Sequence, residues 1–251
     1  MTVVTAWALT PHMIRVTLTA PEIAVMDPEC AGANCKLFLP SPGQSLDDFT
    51  TQLADGPRPT VRTYTVRAIR PKTHELDIDF VDHGDVGPAS AWARQARSGS
   101  FLGFAGPGPV KVATYYADSY LVVADMSALP VAAAALEAMP EDARGTAIFE
   151  IMSPDDKQEF RMPDGIDVQW VVNPDPHVSS TVIPDMIAAL KWPDGIVQTC
   201  IAGESGMIKA LRQSLLVAKG FPKRDCYISG YWKIGLVEDE HQQQKRAEAA
   251  G

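Results

Sequence analysis

Cysteine is scarce in this chain and is not arranged in pairs. The 251 residues include only four cysteines, Cys30, Cys35, Cys200 and Cys226. None of them forms the C-x-x-C unit that is typical of zinc sites and iron–sulfur clusters. We therefore expect free thiols, with neither zinc nor a [2Fe–2S] cluster.

Basic residues are outnumbered and long apolar runs are missing. Lys and Arg total 22 against 31 acidic residues, which gives a net charge of −9 and disfavours nucleic acids and anionic membranes as partners. No run approaches the roughly 20 apolar residues of a membrane helix, and Met1–Ala8 lacks the basic start of a signal peptide. We expect no nucleic-acid partner, no membrane insertion and a cytoplasmic location.

The first part of the chain has the texture of a small β-domain. Short β-rich segments are separated by Pro and Gly up to about Ala113, which favours an antiparallel barrel. The composition predicts a surface loop over Ser41–Pro59 and one helix from Pro88. The predicted strands are Val3–Trp7, Ile14–Thr19, Lys36–Leu39, Val61–Ile69, Glu75–Val81 and Phe101–Gly106.

From Tyr120 strands and helices alternate, which predicts an α/β domain with a largely parallel sheet. Strands are expected at Tyr120–Ala124, Thr146–Met152, Asp167–Val172, Gln198–Ala202 and Cys226–Ser229, and helices at Ala128–Met139, Thr181–Leu190 and Met207–Lys219. With a boundary in Thr114–Ser119, the predicted domains are 1–114 and 119–251. The charged tail, Glu238–Gly251, is expected to be a solvated or frayed helix.

The segment Arg62-Thr63-Tyr64-Thr65 is the most informative motif. Residues two apart in a strand share a face, so Arg62 offers a guanidinium fork to a pyrophosphate where Tyr64 offers a ring to a flat cofactor. Thr65 has a hydroxyl and a backbone N–H for the edge of such a ring. The alternative is a solvated Arg beside a half-buried Tyr.

A helix start follows about twenty residues later. Pro88 suits the first helical position, and the backbone N–H groups around Ala89–Ala91 form the positive end of a helix dipole that can bind a diphosphate. A helix start without a ligand is the alternative. Together with the strand motif, this arrangement predicts a flavin dinucleotide cradle. Its residues on this side are Asp82, His83, Gly87, Pro88, Ala89 and Ser90.

On these motifs the chain resembles the siderophore-interacting proteins of the ferredoxin–NADP reductase superfamily. Three further segments carry the resemblance: Gly106–Gly108, Ala202–Ser205 and Gly230–Gly235. The resemblance implies a barrel domain that binds FAD and an α/β domain that binds NADH or NADPH. It also implies reduction of a ferric-siderophore, with the chemistry performed by the flavin and no catalytic side chain.

The nucleotide is expected at the carboxyl ends of the parallel strands. Ser127 is predicted to cap the helix that follows the first strand, and a tight turn follows Gly203. Simple capping and a turn without a ligand are the alternatives, and no G-x-G-x-x-G fingerprint is present. The acids Asp155 and Asp156 favour NADH over NADPH. The predicted nucleotide residues are Asp125, Ser127, Ala128, Gly203, Glu204 and Ser205.

Basic residues are expected to receive the anionic iron chelate, as the resemblance implies. The candidates are Lys36, Lys111 and Lys233, each of which is otherwise a solvated surface charge. Two other functions stay open. One is a different flavin reductase or electron-transfer protein on the same scaffold, and the other is a non-catalytic ferric-siderophore carrier.

Overall fold

The computed structural model describes residues 1–82, 84, 87–238, 240, 241 and 244. The chain divides into two compact units, Met1–Lys111 and Val112–Gly251. Each unit has its own hydrophobic core. None of the helices within the described ranges is long and apolar enough to cross a membrane.

The first unit is a six-stranded antiparallel sheet that curls into a barrel. Its order is β1-β2-β5-β4-β3-β6. A bridge from Thr2 to Phe101 and a hydrogen bond from Val3 N to Ser100 O (2.7 Å) join the first strand to the segment before the last. The predicted barrel is therefore confirmed. The strands are β1 Thr2–Thr10, β2 Met13–Thr19, β3 Asn34–Leu39, β4 Thr60–Arg70, β5 Glu75–Val81 and β6 Gly103–Ala105.

Two helices accompany the barrel, α1 Leu46–Asp55 and α2 Pro88–Gln95. The prediction of a loop throughout Ser41–Pro59 was wrong, because α1 lies inside it. Ser45 caps this helix by accepting a hydrogen bond from Asp48 N at 3.1 Å. Phe49 anchors it, since its buried ring packs on Phe101 with 5.7 Å between the centroids. Leu46, Phe49 and Leu53 have helical spacing, but the many polar and turn-forming residues of the segment made its composition misleading.

The second unit is a parallel sheet of five strands in the order β11-β10-β7-β8-β9. Every pairing is parallel, which confirms the predicted α/β architecture. The strands are β7 Ser119–Ala124, β8 Arg144–Ile151, β9 Gly165–Val172, β10 Val197–Glu204 and β11 Cys226–Trp232. The helices are α3 Leu129–Ala138, α4 Val182–Ala189 and α5 Ser205–Arg212, the last continuing as a π-helical turn, Gln213–Ala218.

The strand order fixes where a ligand can enter this sheet. The chain runs outward from β7 through β8 to β9, then returns to β10 on the other side of β7. The carboxyl ends of β7 and β10 therefore flank the topological switch point, where open α/β sheets bind their ligands. Within the predicted tail, the described residues Glu238, Glu240, His241 and Gln244 are helical, and His241 is buried.

Candidate functional site

The Arg62–Thr65 motif lies on β4, which is one of the two middle strands in the order of the barrel sheet. Its register with β3 pairs Arg62 with Leu37 and Tyr64 with Cys35. Directly paired residues project to the same face of an antiparallel ladder, so Arg62 and Tyr64 share the face of two buried core residues. One guanidinium nitrogen of Arg62, Nη1, donates to Val61 O at 2.8 Å.

An aromatic chain connects this motif to α2. The Tyr64 ring packs on Phe80 with 4.5 Å between centroids, and Phe80 packs on Trp92 of α2 at 5.7 Å. Phe80 is fully buried, whereas Tyr64 stays partly exposed. The core thus brings the strand motif and the helix to the same end of the barrel.

The start of α2 follows the sequence prediction. Pro88 is the first helical residue, Gly87 is the N-cap, and no side chain among the described residues caps the helix. The first helical hydrogen bond runs from Ala91 N to Gly87 O at 3.0 Å. The backbone N–H groups of Ala89 and Ser90 therefore precede the helical ladder, and such groups can receive an anion.

Asp82, predicted as part of the flavin cradle, is held by an arginine that the sequence did not single out. Arg94 Nη1 donates to Asp82 Oδ1 at 2.6 Å and to Gly84 O at 2.8 Å. These contacts fasten Asp82 and Gly84 to the last turn of the helix. No local spacing rule links residues 82 and 94, so sequence gave no signal. His83 lies outside the described residues.

Two of the three predicted lysines belong to the first unit. Lys36 pairs with Thr63 across the β3–β4 ladder, and its ammonium donates to Thr63 Oγ1. Because neighbouring strand residues alternate faces, Lys36 and Thr63 project away from the face of Arg62 and Tyr64. The buried Thr65 pairs with Asn34 on the same side as Lys36. Lys111 is exposed at the end of the unit.

In the second unit a buried carboxylate, Asp125, follows β7. Its Oδ1 accepts hydrogen bonds from Ser127 N (2.9 Å), Ser127 Oγ (2.6 Å) and Ala128 N (3.2 Å). Its Oδ2 accepts from Trp232 Nε1 at 2.7 Å. The prediction that Ser127 caps α3 was wrong: the structural N-cap is Ala128, and Asp125 supplies the acceptor oxygen.

A second carboxylate, Glu204, fills the start of α5 in the same way. Its Oε2 accepts from Gly206 N at 2.6 Å and from Met207 N at 3.0 Å. Glu204 is the N-cap of α5, so the alternative of a structural role at the helix start matches the geometry. A Cβ on Gly203 would lie 2.7 Å from Asp125 Oδ2, so the carboxylate takes the space that this glycine leaves.

The carboxyl edge of the parallel sheet is consequently acidic. Burial raises the pKa of Asp125, while hydrogen bonds from Ser127 and Trp232 lower it. Burial also raises the pKa of Glu150, and the nearby Asp125 and Glu204 raise it further. Asn173 Nδ2 donates to Glu150 Oε1 at 3.2 Å. Glu150 was missed because it lies inside an apolar strand rather than in a loop.

Asp156, one of the acids taken to favour NADH, has a structural role. It is fully buried, and its Oδ2 accepts from Ser153 N at 2.9 Å in a capping box. Asp155 is exposed. Of the two acids that were predicted to favour NADH, only Asp155 is therefore exposed to solvent in this turn.

Lys233 and Ser205 lie near the end of the same edge. Lys233 Nζ donates to Gln244 Oε1 at 3.0 Å. The Oγ of Ser205, the first residue of α5, lies 3.4 Å from Nε2 of the buried His241. Among the described residues of the tail, His241 and Gln244 therefore contact this part of the unit.

Comparison with known proteins gives the same assignment for both units. The siderophore-interacting FAD-binding domain matches residues 2–111, and the siderophore-interacting protein model matches residues 117–235. Ferric vibriobactin reductase ViuB of Vibrio cholerae is 31% identical over 241 residues, which cover 93% of this chain and 89% of that protein.

Solved structures agree. The siderophore-interacting protein SipS from Aeromonas hydrophila has a TM-score of 0.85 at 31% identity and covers 100% of this chain and 97% of its own. The ferredoxin reductase of carbazole 1,9a-dioxygenase, at 19% identity and a TM-score of 0.61, covers 92% of this chain and 65% of its own and shows the fold alone. This chain therefore belongs to the siderophore-interacting protein family and carries its FAD-binding domain.

Proposed function

We propose that this protein uses FAD to reduce a ferric-siderophore with electrons from NADH or NADPH. The observation that carries the proposal is the start of α2, where no side chain among the described residues caps the backbone donors, on a helix that packs through Trp92 and Phe80 onto Tyr64. The name of the similar ViuB, a ferric vibriobactin reductase, supports the substrate class.

The residues of the first unit fit a flavin dinucleotide. Arg62 and the N–H groups of Ala89 and Ser90 provide charged and neutral donors to a pyrophosphate. Tyr64 presents a partly exposed ring that is already held on one side by Phe80. Bound flavin supplies the chemistry, since it takes two electrons from a nicotinamide and passes them on singly. The protein therefore needs to bind and orient, and we assign residues 1–114 to this task.

The second unit, residues 119–251, is proposed to bind the pyridine nucleotide at the carboxyl ends of β7 and β10. Ser127, Ala128, Gly203 and Ser205 flank that switch point, where α/β sheets take their ligands. The helix starts there are already filled by Asp125 and Glu204. We infer that the uncharged nicotinamide lies nearest to this edge, because a phosphate would face two carboxylates.

The lysines are proposed to attract the iron chelate. Ferric iron is a hard cation held by anionic oxygens, and its lower charge after reduction weakens that grip. On a chain of net charge −9, a local positive charge is needed to offset repulsion of an anionic chelate. Among Lys36, Lys111 and Lys233, the last lies in the segment most typical of the resembled family.

An anaerobic spectral titration tests the proposal. The purified protein, loaded with FAD, should be yellow, should bleach with NADH or NADPH, and should regain its colour when a ferric-siderophore is added with a ferrous-iron trap. Bleaching without re-oxidation by the chelate would instead favour another flavin reductase. A protein that binds the chelate but takes up no FAD would be a carrier, and the proposal would fall.

A further inference from the structure

One short segment after the last strand of the second unit is fastened at two points by carboxylates. Trp232 Nε1 donates to Asp125 Oδ2 at 2.7 Å, and Ile234 N donates to Glu204 Oε1 at 3.3 Å. Between these two residues lies Lys233. The segment Trp232–Ile234, which we term the clamped segment, is thus held immediately before and after the lysine.

The two carboxylates also hold the segments that lead into two helices. Asp125 accepts from the N–H of Ala128, the N-cap residue of α3, and Glu204 accepts from the N–H of Met207 in α5. The clamped segment is therefore tied to the carboxyl ends of two other strands, β7 and β10. Sequence separation shows how long-range the contact is, since Trp232 and Asp125 are 107 residues apart.

Other contacts restrict the same segment. The His177 ring stands edge-on to Trp232, with 5.9 Å between centroids and 82° between planes. Leu236 N donates to Lys233 O at 3.1 Å, closing a turn in which Gly235 has a φ of +80°. The fold holds the backbone of Lys233, whereas its long side chain can still extend toward a ligand.

The ammonium of Lys233 donates to the neutral Gln244 Oε1, and within the part of the chain that the structure describes it forms no ion pair. Asp125 and Glu204, the two carboxylates that hold the segment, accept hydrogen bonds from backbone and indole N–H groups. The carboxylates thus hold the segment without neutralising its lysine.

We propose that Asp125 and Glu204 are positioning residues that fix the clamped segment so that Lys233 meets the anionic ferric chelate. The inference rests on the proposed function, because it assigns Lys233 to the siderophore site. Both carboxylates were predicted to bind the pyridine nucleotide. Their oxygens are instead directed at the protein's own N–H groups, which makes their action on the substrate indirect.

The test uses the FAD-loaded full chain and two variants that each release one contact. Trp232→Phe keeps an aromatic ring and removes the N–H that Asp125 receives, and Glu204→Ala removes the acceptor for Ile234 N. Each variant is also made in a Lys233→Ala background. Asp194→Asn is the matched control, because Asp194 is an exposed acid of the same unit and its loss changes the net charge as Glu204→Ala does.

Two readouts separate positioning from general damage. Hydrogen exchange of the peptide containing Ile234 should accelerate in both variants but not in the control. The KM for an anionic ferric chelate should rise about tenfold, as when one charged contact is lost, with FAD binding unchanged in both variants and anaerobic flavin reduction by NADH unchanged in Trp232→Phe. In the Lys233→Ala background the same variants should add no further increase.

Several results would overturn the inference. Unchanged hydrogen exchange of the peptide containing Ile234 would show that the two carboxylates do not hold the clamped segment. Increases in KM that add to that of Lys233→Ala would show that the carboxylates do not act through the lysine. A wild-type protein that reduces no ferric chelate would contradict the proposed function itself, and this outcome is visible before any variant is made.

Discussion

The helix starts at the two candidate sites differ in how their backbone N–H groups are satisfied. In the first unit, α2 begins at Pro88 with Gly87 as N-cap and no capping side chain among the described residues. In the second unit, the Glu204 carboxylate caps α5, and the Asp125 carboxylate accepts from the N–H of Ala128, the N-cap residue of α3. An open helix start can receive an external phosphate, whereas a filled one already has its anion. The sequence predicts a bound cofactor at both kinds of start.

The largest expected effect comes from the open start. Arg62→Ala should weaken FAD binding about ten- to a hundred-fold, because a charged hydrogen bond contributes on the order of 1.5–3 kcal/mol. Titration of the apoprotein with FAD measures the change. The matched control is Arg58→Ala, which removes an exposed arginine of the same unit and should leave the affinity unchanged. Equal affinity in folded Arg62→Ala would remove this residue from the cradle.

The filled starts predict a stability effect in the second unit. Gly203→Ala should destabilise the fold by about 1–3 kcal/mol, as overpacking of a tight site does, because the new Cβ would lie 2.7 Å from Asp125 Oδ2. Chemical denaturation gives the free energy of unfolding.

Gly220→Ala is the control for this substitution. It also has a positive φ, +73°, but nothing lies within 4 Å of its added Cβ. Gly203→Ala should lose more stability than Gly220→Ala, because it adds the contact with the carboxylate and places alanine at a φ of +151°. Equal losses of stability would mean that the space next to Asp125 is not tight.

A smaller effect is expected from Glu150→Gln. The pKa of Glu150 is raised by burial and by the nearby Asp125 and Glu204, so its ionisation disfavours the folded state. Below the ordinary Glu pKa this cost is absent, and it develops as the pH rises through the folded-state pKa. The amide variant should therefore unfold at a higher temperature than wild type near neutral pH, with the difference shrinking in acid. A difference that grew toward low pH would contradict the electrostatic interpretation.

Local signals in the sequence predicted the parts of the site that depend on neighbouring residues. The first helical position at Pro88 and the shared face of Arg62 and Tyr64 follow from proline geometry and strand alternation. Contacts between distant segments could not be predicted in this way. Asp82 is paired with Arg94, and Asp125 receives the indole of Trp232, but neither pair has a characteristic spacing.

Capping also shows why the second unit was harder to interpret than the first. A Ser after a strand is a good N-cap by propensity, yet the buried Asp125 accepts hydrogen bonds from both the Ser127 N–H and the Ser127 hydroxyl. The prediction of a loop over Ser41–Pro59 was wrong for a different reason. One buried phenylalanine anchors a helix whose other residues are mostly polar, so tertiary packing overrode the composition.

The most direct test of the open start compares two substitutions at Ser90. Ser90→Ala removes the hydroxyl, which donates to Gly87 O at 3.0 Å, and keeps the backbone N–H. Ser90→Pro removes the N–H in the first turn, where proline is tolerated. We expect FAD affinity close to wild type for Ser90→Ala and about tenfold weaker binding for Ser90→Pro, as for one lost hydrogen bond to a charged group. A folded Ser90→Pro that binds FAD like Ser90→Ala would contradict a pyrophosphate at the start of α2.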